Sequence, residues 1–273
     1  MKRVFIGIIL LISFWSANLV NAQVRYMNES VFHFGEHATY NVYFNWGFIW
    51  IHAGNVEFQV KNMKVGNKDC YYLFVSGYTR KAFDKMYTIR DTFSSCVDTK
   101  YLLPVAYRET KHEDSYFCDK IYKYQRFTDS TKVFMDFTRN TKKWLDTLVV
   151  NHQSCDLITT CYKFRNLDMS TVQKNMVVNF NMIFDSEVYT LGLKYCGKEQ
   201  IKLKNGKKYN ALKFVPKLIT GDLFKNEDDM VIYVTDDNNH IPLLIDAKIK
   251  VGSIKAMLQD VAGTKFPVSS LLK

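Results

Sequence analysis

The sequence predicts a mainly β protein, built on a large curved antiparallel sheet, barrel-like or two-layered, with one short helix between two related meanders. Three observations carry this. Apolar and polar residues alternate with a period of two from Phe34 to Val60. Similar runs, bounded by turn residues, recur along most of the chain. The period becomes helical once, after Ser154.

Residues 1–22 are expected to lie outside the fold. Lys2 and Arg3 form a positive n-region, Val4 to Trp15 an apolar h-region, and Val20-Asn21-Ala22 a small-residue cleavage site. This pattern predicts export, with a mature chain starting at Gln23 in the periplasm or at the outer membrane. No Pro-, Ser- or Gly-rich linker interrupts the mature chain, so residues 23–273 read as a single all-β domain.

The opening hairpin sets the pattern. Ala38, Tyr40, Val42, Phe44 and Trp46 alternate with Thr39, Asn41, Tyr43 and Asn45, and Val56, Phe58 and Val60 resume on the return strand. Gly47 and Gly54 supply bends. Cys70 to Gly77 reads as a strand, Arg80 to Met86 as a short break, and Tyr87 to Val97, Leu102 to Lys111, Ser115 to Thr128, Thr131 to Thr138 and Lys143 to Val150 as further strands. Asp156, Leu157, Ile158, Cys161, Tyr162, Phe164 and Leu167 then recur at helical spacing, with Ser154 as the expected N-cap. Strands resume at Met176 to Phe184 and Val188 to Cys196. Gln200–Lys204 and Lys208–Val215 flank Asn205-Gly206, a strong hairpin signal. Met230 to Thr235, Pro242 to Val251 and Ser253 to Val261 complete the series, enough strands for a sheet to curl or close.

Asp91, Asp98 and Pro104 have the same mutual spacings as Asp229, Asp236 and Pro242. The offset suggests an internal pseudo-repeat, 69–112 and 207–250, on either side of the helix.

Composition narrows the function. The net charge of +10 falls to +8 without Lys2 and Arg3, and the cations are spread over strands and hairpin tips. With no basic helix or recognition motif, nucleic acid is not an expected partner. The six cysteines match no small disulfide scaffold and contain no C-x-x-C, leaving both free thiols and disulfides open. His33-Phe-Gly-Glu36-His37 fits H-x-x-E-H, but Gly35 and the strand after it deny it helical geometry, so no metal is expected. Glu227-Asp228-Asp229 through Asp236-Asp237 reads as solvated turn chemistry. No nucleophile elbow, P-loop or dinucleotide fingerprint occurs, and no cofactor is implied. Arg165 on the apolar helix needs a partner, and a structural ion pair of Arg165 with Asp91 would tie the helix to the sheet.

Several segments together resemble a known family: Phe34-Gly35-Glu36 before Tyr40, Asp91-x-Phe93-x-Ser95, Asp98 before Pro104, Asp156 through Tyr162 to Arg165, Phe214-x-Pro216 before Leu223-Phe224-Lys225, Asp236-Asp237 before Ile241-Pro242, and Lys250-Val-Gly252-Ser253. In order and across nearly the whole mature chain, they are similar to domain-of-unknown-function family 3108, exported envelope proteins of Gram-negative bacteria. The resemblance implies an exported antiparallel β protein and carries over no catalytic residue.

Two function classes remain. The first is a non-catalytic envelope module binding an apolar ligand, a glycan or a partner. In a curled sheet with residues 156–167 across its mouth, Tyr40, Val42, Phe44 and Trp46 would line an apolar cup while Tyr43 and Asn45 face solvent. The second is a hydrolase acting on an envelope polymer, which a clustered pair of buried carboxylates in one cleft would favour. An integral outer-membrane barrel fits poorly with strand charges such as Arg90, Lys120, Lys123, Lys202 and Lys250.

Overall fold

The computed structural model describes residues 24–46, 48–217, 229–249 and 252–272; the expected export signal lies outside them. The strands are β1 (His37–Trp46), β2 (Ile49–Val65), β3 (Lys68–Thr79), β4 (Arg90–Asp98), β5 (Pro104–Glu113), β6 (Tyr116–Arg126), β7 (Thr131–Arg139) and β8 (Lys142–Val150), followed by β9 (Val177–Phe184), β10 (Glu187–Lys202), β11 (Lys208–Pro216), β12 (Met230–Thr235), β13 (Pro242–Lys248), β14 (Ser253–Ala262) and β15 (Leu271–Leu272). A single turn of helix, α1 (Lys81–Asp84), follows β3, and α2 (Leu157–Arg165) lies between β8 and β9.

All the strands form one antiparallel sheet in the order β8-β7-β6-β5-β4-β3-β2-β1-β14-β13-β12-β11-β10-β9, with β15 paired to β11. The sheet rolls without closing. Its edge strand β9 reaches the inner face of β6, where the Tyr122 hydroxyl donates to the Asp185 carbonyl at 3.3 Å and Lys120 meets the Asp185 carboxylate at 2.7 Å. Met182 and Ile183 of β9 share a buried cluster with Tyr122, Val133 and Met135. Side chains therefore complete the roll where no backbone ladder joins the edges, and they keep β9 covered.

The sequence reading differs from the structure at three instructive points. Gly54 does not break β2, which runs through it opposite an irregularity at Val42/Tyr43. A Cβ on Gly54 would sit 2.5 Å from the Tyr78 carbonyl, so close strand approach requires glycine there. The two strands expected at 188–196 and 200–204 are one, β10, with a bulge between Tyr195 and Gly197, where Gly197 takes a positive φ of 103°. Finally, α2 is capped by Asp156, not Ser154: its carboxylate accepts the Thr159 N–H at 2.8 Å, while the Ser154 hydroxyl donates to Asn151 Oδ1 at 3.1 Å.

The two meanders β3-β4-β5 and β11-β12-β13 share local geometry. Pro104 and Pro242 each open a strand antiparallel to the one before, next to a register shift. Two residues ahead of each proline, Leu102 and His240 adopt positive φ values of 51° and 47°.

All six cysteines are unbridged. The glutamate of the H-x-x-E-H pattern, Glu36, is committed to Arg165 of α2. Asp236 pairs with Lys198 at 2.8 Å, and Asp237 accepts from Thr235 and from the Asn239 N–H. The Asp237 bonds close the turn, and the Asp236 pair ties it to β10.

Candidate functional site

Alternation and register together place side chains on the inner wall. Because the side-chain period is two, residues in phase on adjacent strands form rows across the sheet. One row runs Tyr40–Val56–Gly77–Asp91, and the Thr92–Thr110 pairing puts Lys111 next to Asp91. A second runs Val42–Gly54–Thr79 and continues through the Ile89–Glu113 bridge. A third, nearer the helix, is Ala38–Phe58–Val75–Phe93. With α2 and the facing strands β9 to β14, these rows line a cavity of about 380 Å³. That volume lies within the range of small-molecule sites. The facing wall is apolar, with Phe180, Leu193, Ile232 and Ile254 among its residues.

Helix α2 fixes one end. Ser95 of β4 donates to the buried Asp156 carboxylate at 2.9 Å, at the N-terminus of the helix. At its C-terminus, Arg165 makes two bonds to Glu36, Nη1–Oε1 at 2.5 Å and Nη2–Oε2 at 2.9 Å, and its Nε donates to the Asn239 carbonyl. Burial would lower the Arg165 pKa, but the Glu36 carboxylate outweighs it and holds the guanidinium charged. This corrects the sequence-level pairing of Arg165 with Asp91. Asp91 lies four residues from Ser95 along β4, while the helix directs Arg165 from its far end toward the start of β1. Helix and sheet are joined by an ion pair, with Glu36 as the partner.

Asp91 instead belongs to a polar end of the cavity. Its carboxyl accepts the His112 N–H at 3.1 Å and lies beside that of Glu113. Glu113 also accepts from the Tyr87 hydroxyl at 3.0 Å. Burial first, then the neighbouring Glu113 charge, pushes the Asp91 pKa up to about 8, and burial raises Glu113 as well. At neutral pH the two carboxyls therefore share a proton. Lys111 draws both carboxyls toward ionisation but is outweighed by burial; its ammonium pairs with Glu109 at 2.9 Å, as does Lys120 at 3.1 Å. Burial would raise the Glu109 pKa, but the two ammonium groups outweigh it and hold the carboxylate ionised.

Of the residues expected to line an apolar cup, Tyr40 and Val42 do so. Tyr40 is pinned by a 3.0 Å bond from its hydroxyl to the Pro242 carbonyl. Phe44 shares their phase but does not line the cavity; it packs against the cluster of Met230, Ala247, Ile249 and Ile254. Trp46 ends β1, and its side chain lies outside the described residues. Tyr43 is on the outer face yet is only 9% exposed, because Lys204 covers its ring at 4.0 Å and His52 lies beside it. Asp91, Lys111 and Glu113 were missed as a group, although each is in phase with an inward aromatic on its own strand, Phe93 or Tyr107. Cys161 lines the cavity and is exposed there to solvent, although protein around its sulfur pushes the thiol pKa up to about 12.

A rolled antiparallel sheet around an apolar cavity, plugged by one helix, defines a β-barrel-like class of protein. The family described as "Protein of unknown function (DUF3108)" matches residues 39–259, and the chain belongs to that family. A solved structure, the β-barrel-like protein of domain of unknown function DUF1849 from Brucella abortus, is similar with a TM-score of 0.56 and 9% identity, covering 88% of this chain and 100% of that one. At that identity the likeness concerns the fold alone. No curated protein matches the chain.

Proposed function

We propose that the protein is a non-catalytic carrier or sensor that holds an apolar small molecule between α2 and the inner face of the sheet. The observation that carries this reading is the cavity. A well-packed core leaves few voids larger than a water, whereas this one is far larger and is lined by aliphatic and aromatic side chains that give water few partners. An apolar occupant would remove that surface from water at about 25 cal/mol per Å². The apolar wall also speaks against an envelope glycan, whose hydroxyls would be left unpaired. Export to the envelope is part of the proposal and rests on residues 1–22.

A second reading, a hydrolase, has one observation in its favour: the Asp91–Glu113 pair sharing a proton inside the cavity. Paired carboxyls of this kind can act as acid and base. The surrounding wall is poor for a polymer substrate, so binding is the preferred reading. Loss of hydrolysis of a peptide or glycan by Glu113→Gln, with binding retained, would favour the enzyme.

The binding test uses an uncharged fluorophore, N-phenylnaphthylamine. It should bind saturably, one per chain. Gly77→Leu should abolish binding without lowering the melting temperature, since a Cβ there meets only Val56 Cγ2, at 3.7 Å. Absence of saturable binding, or binding unaffected by Gly77→Leu, would refute the reading.

A further inference from the structure

Resting on the cavity reading, we infer that the ligand is an amphiphile with an ammonium headgroup, its chain along the apolar wall and its headgroup against the carboxyls of Asp91 and Glu113. Geometry provides the room. Gly77 stands beside Asp91 in the same cross-sheet row, and the missing side chain leaves the space next to that carboxyl open to the cavity.

Hydrogen-bonding capacity points the same way. Two carboxyls offer about eight lone-pair sites. The donors facing them are the His112 N–H, the Tyr87 hydroxyl and the proton they share. Acceptor capacity remains for the three N–H bonds of a primary ammonium. A carboxylate or phosphate headgroup would bring only acceptors.

The charge balance agrees. Lys111 and Lys120 are held by Glu109 and Asp185, with the half-exposed Arg139 also 3.9 Å from Asp185, and Arg90 is held by Asp84 at 2.7 Å. Asp114, next in sequence to Glu113, adds negative charge and caps the Thr88 N–H. Arg165 is held by Glu36 at the helix end, and the opposite wall presents Met230, Ile245 and Ile254. Lys111 lies on the same wall and draws both carboxyls toward ionisation, but its ammonium is held by Glu109. Among the described residues no salt bridge is made to Asp91 or Glu113, so their negative charge faces the cavity. An anionic headgroup placed there in a low dielectric is repelled, and a cation is attracted.

Displacement of bound N-phenylnaphthylamine by dodecylamine, dodecanol and dodecanoate, each below its micelle concentration, tests this. At about pH 7 the amine should displace the probe at about tenfold lower concentration than the acid, with the alcohol between. In Asp91→Asn/Glu113→Gln the amine and acid should fall within about twofold of each other. Should that variant not fold, the parent still decides. Loss of the shared proton between about pH 6 and 9 should widen the amine-to-alcohol ratio, and an unchanged ratio would refute the headgroup assignment. Equal displacement by all three chains, or a ratio unaltered in the folded variant, would also overturn it while leaving the cavity reading intact. Failure of the fluorophore itself to bind would remove both.

Discussion

The guanidinium of Arg165 and the carboxylate of Glu36 form a two-bonded ion pair that joins the last turn of α2 to the entry of β1, 129 residues away in sequence. Both side chains are buried, at 7% and 4% exposure. The pair is also stacked about with rings, the guanidinium lying 5.6 Å from the Phe32 ring and 5.3 Å from that of Tyr162. It holds the helix as a plug at one end of the cavity.

Breaking this pair from one side should be severe. Glu36→Gln or Arg165→Met leaves a buried charge uncompensated, at a cost of about 3–5 kcal/mol. Replacing both partners, Glu36→Leu with Arg165→Met, should recover much of that loss. Urea unfolding of the four proteins checks the cycle; additive single effects would mean that the two groups are not coupled.

Two glycines of the wall should respond oppositely. Gly54→Ala places a Cβ against the Tyr78 carbonyl and should lower stability by about 2 kcal/mol or more through strand displacement. Gly77→Ala meets no such obstacle and should be neutral or stabilising by about 0.5 kcal/mol. Thermal melts of the pair distinguish steric demand from a general strand preference.

Stability should fall with rising pH above neutrality. Asp91 is raised from 3.8 to about 8 in the folded chain, so the native state binds this proton more tightly than the unfolded state does. Its contribution is fully present below the unfolded value and is lost as pH rises through the folded one. Asp156, raised by burial to about 6, acts with the same sign at lower pH. Burial lowers His52 and His240, which act in the opposite sense below about pH 6.5. Burial also raises the thiols of Cys96, Cys118, Cys155 and Cys161, which act in the same sense as the carboxyls above about pH 8. The difference between the parent and Asp91→Asn therefore isolates the carboxyl pair, and the variant should flatten the profile between about pH 7 and 9 by about 1–2 kcal/mol. A parent profile already flat over that interval would contradict the shared proton.

Removing the helix cap should loosen the plug. Asp156→Ala deprives the Thr159 N–H and both the Ser95 and Thr159 hydroxyls of their acceptor. The loss should be about 2–4 kcal/mol, more than the ~1 kcal/mol of an exposed cap, because the partners are buried. Hydrogen exchange should quicken first in α2. Protection unchanged in the helix would show that the cap is not what holds it.

Export should leave a protein beginning at Gln23. Intact-mass measurement on material from the envelope decides this, and a full-length mass would contradict it.

The sequence by itself determined most of the strands, the phase of their faces and the position of α2, because these follow from local period and turn chemistry. The alternation of Ala38, Tyr40 and Val42 already identifies one wall of the cavity, and Arg165 on an apolar helix already demands a buried partner. Which partner was decided only in three dimensions. Glu36 and Asp91 are equally acidic in sequence, and the choice rests on where the helix axis points once Asp156 docks on Ser95. The same holds for the polar end: Asp91 and Glu113 meet because β4 and β5 pair in one register, with Ile89 bridging to Glu113. Phe44 shows the limit from the other side. Its phase is inward like that of Val42, but it packs into the cluster of Met230, Ala247, Ile249 and Ile254 instead of lining the cavity, and that packing depends on which strands face it across the roll.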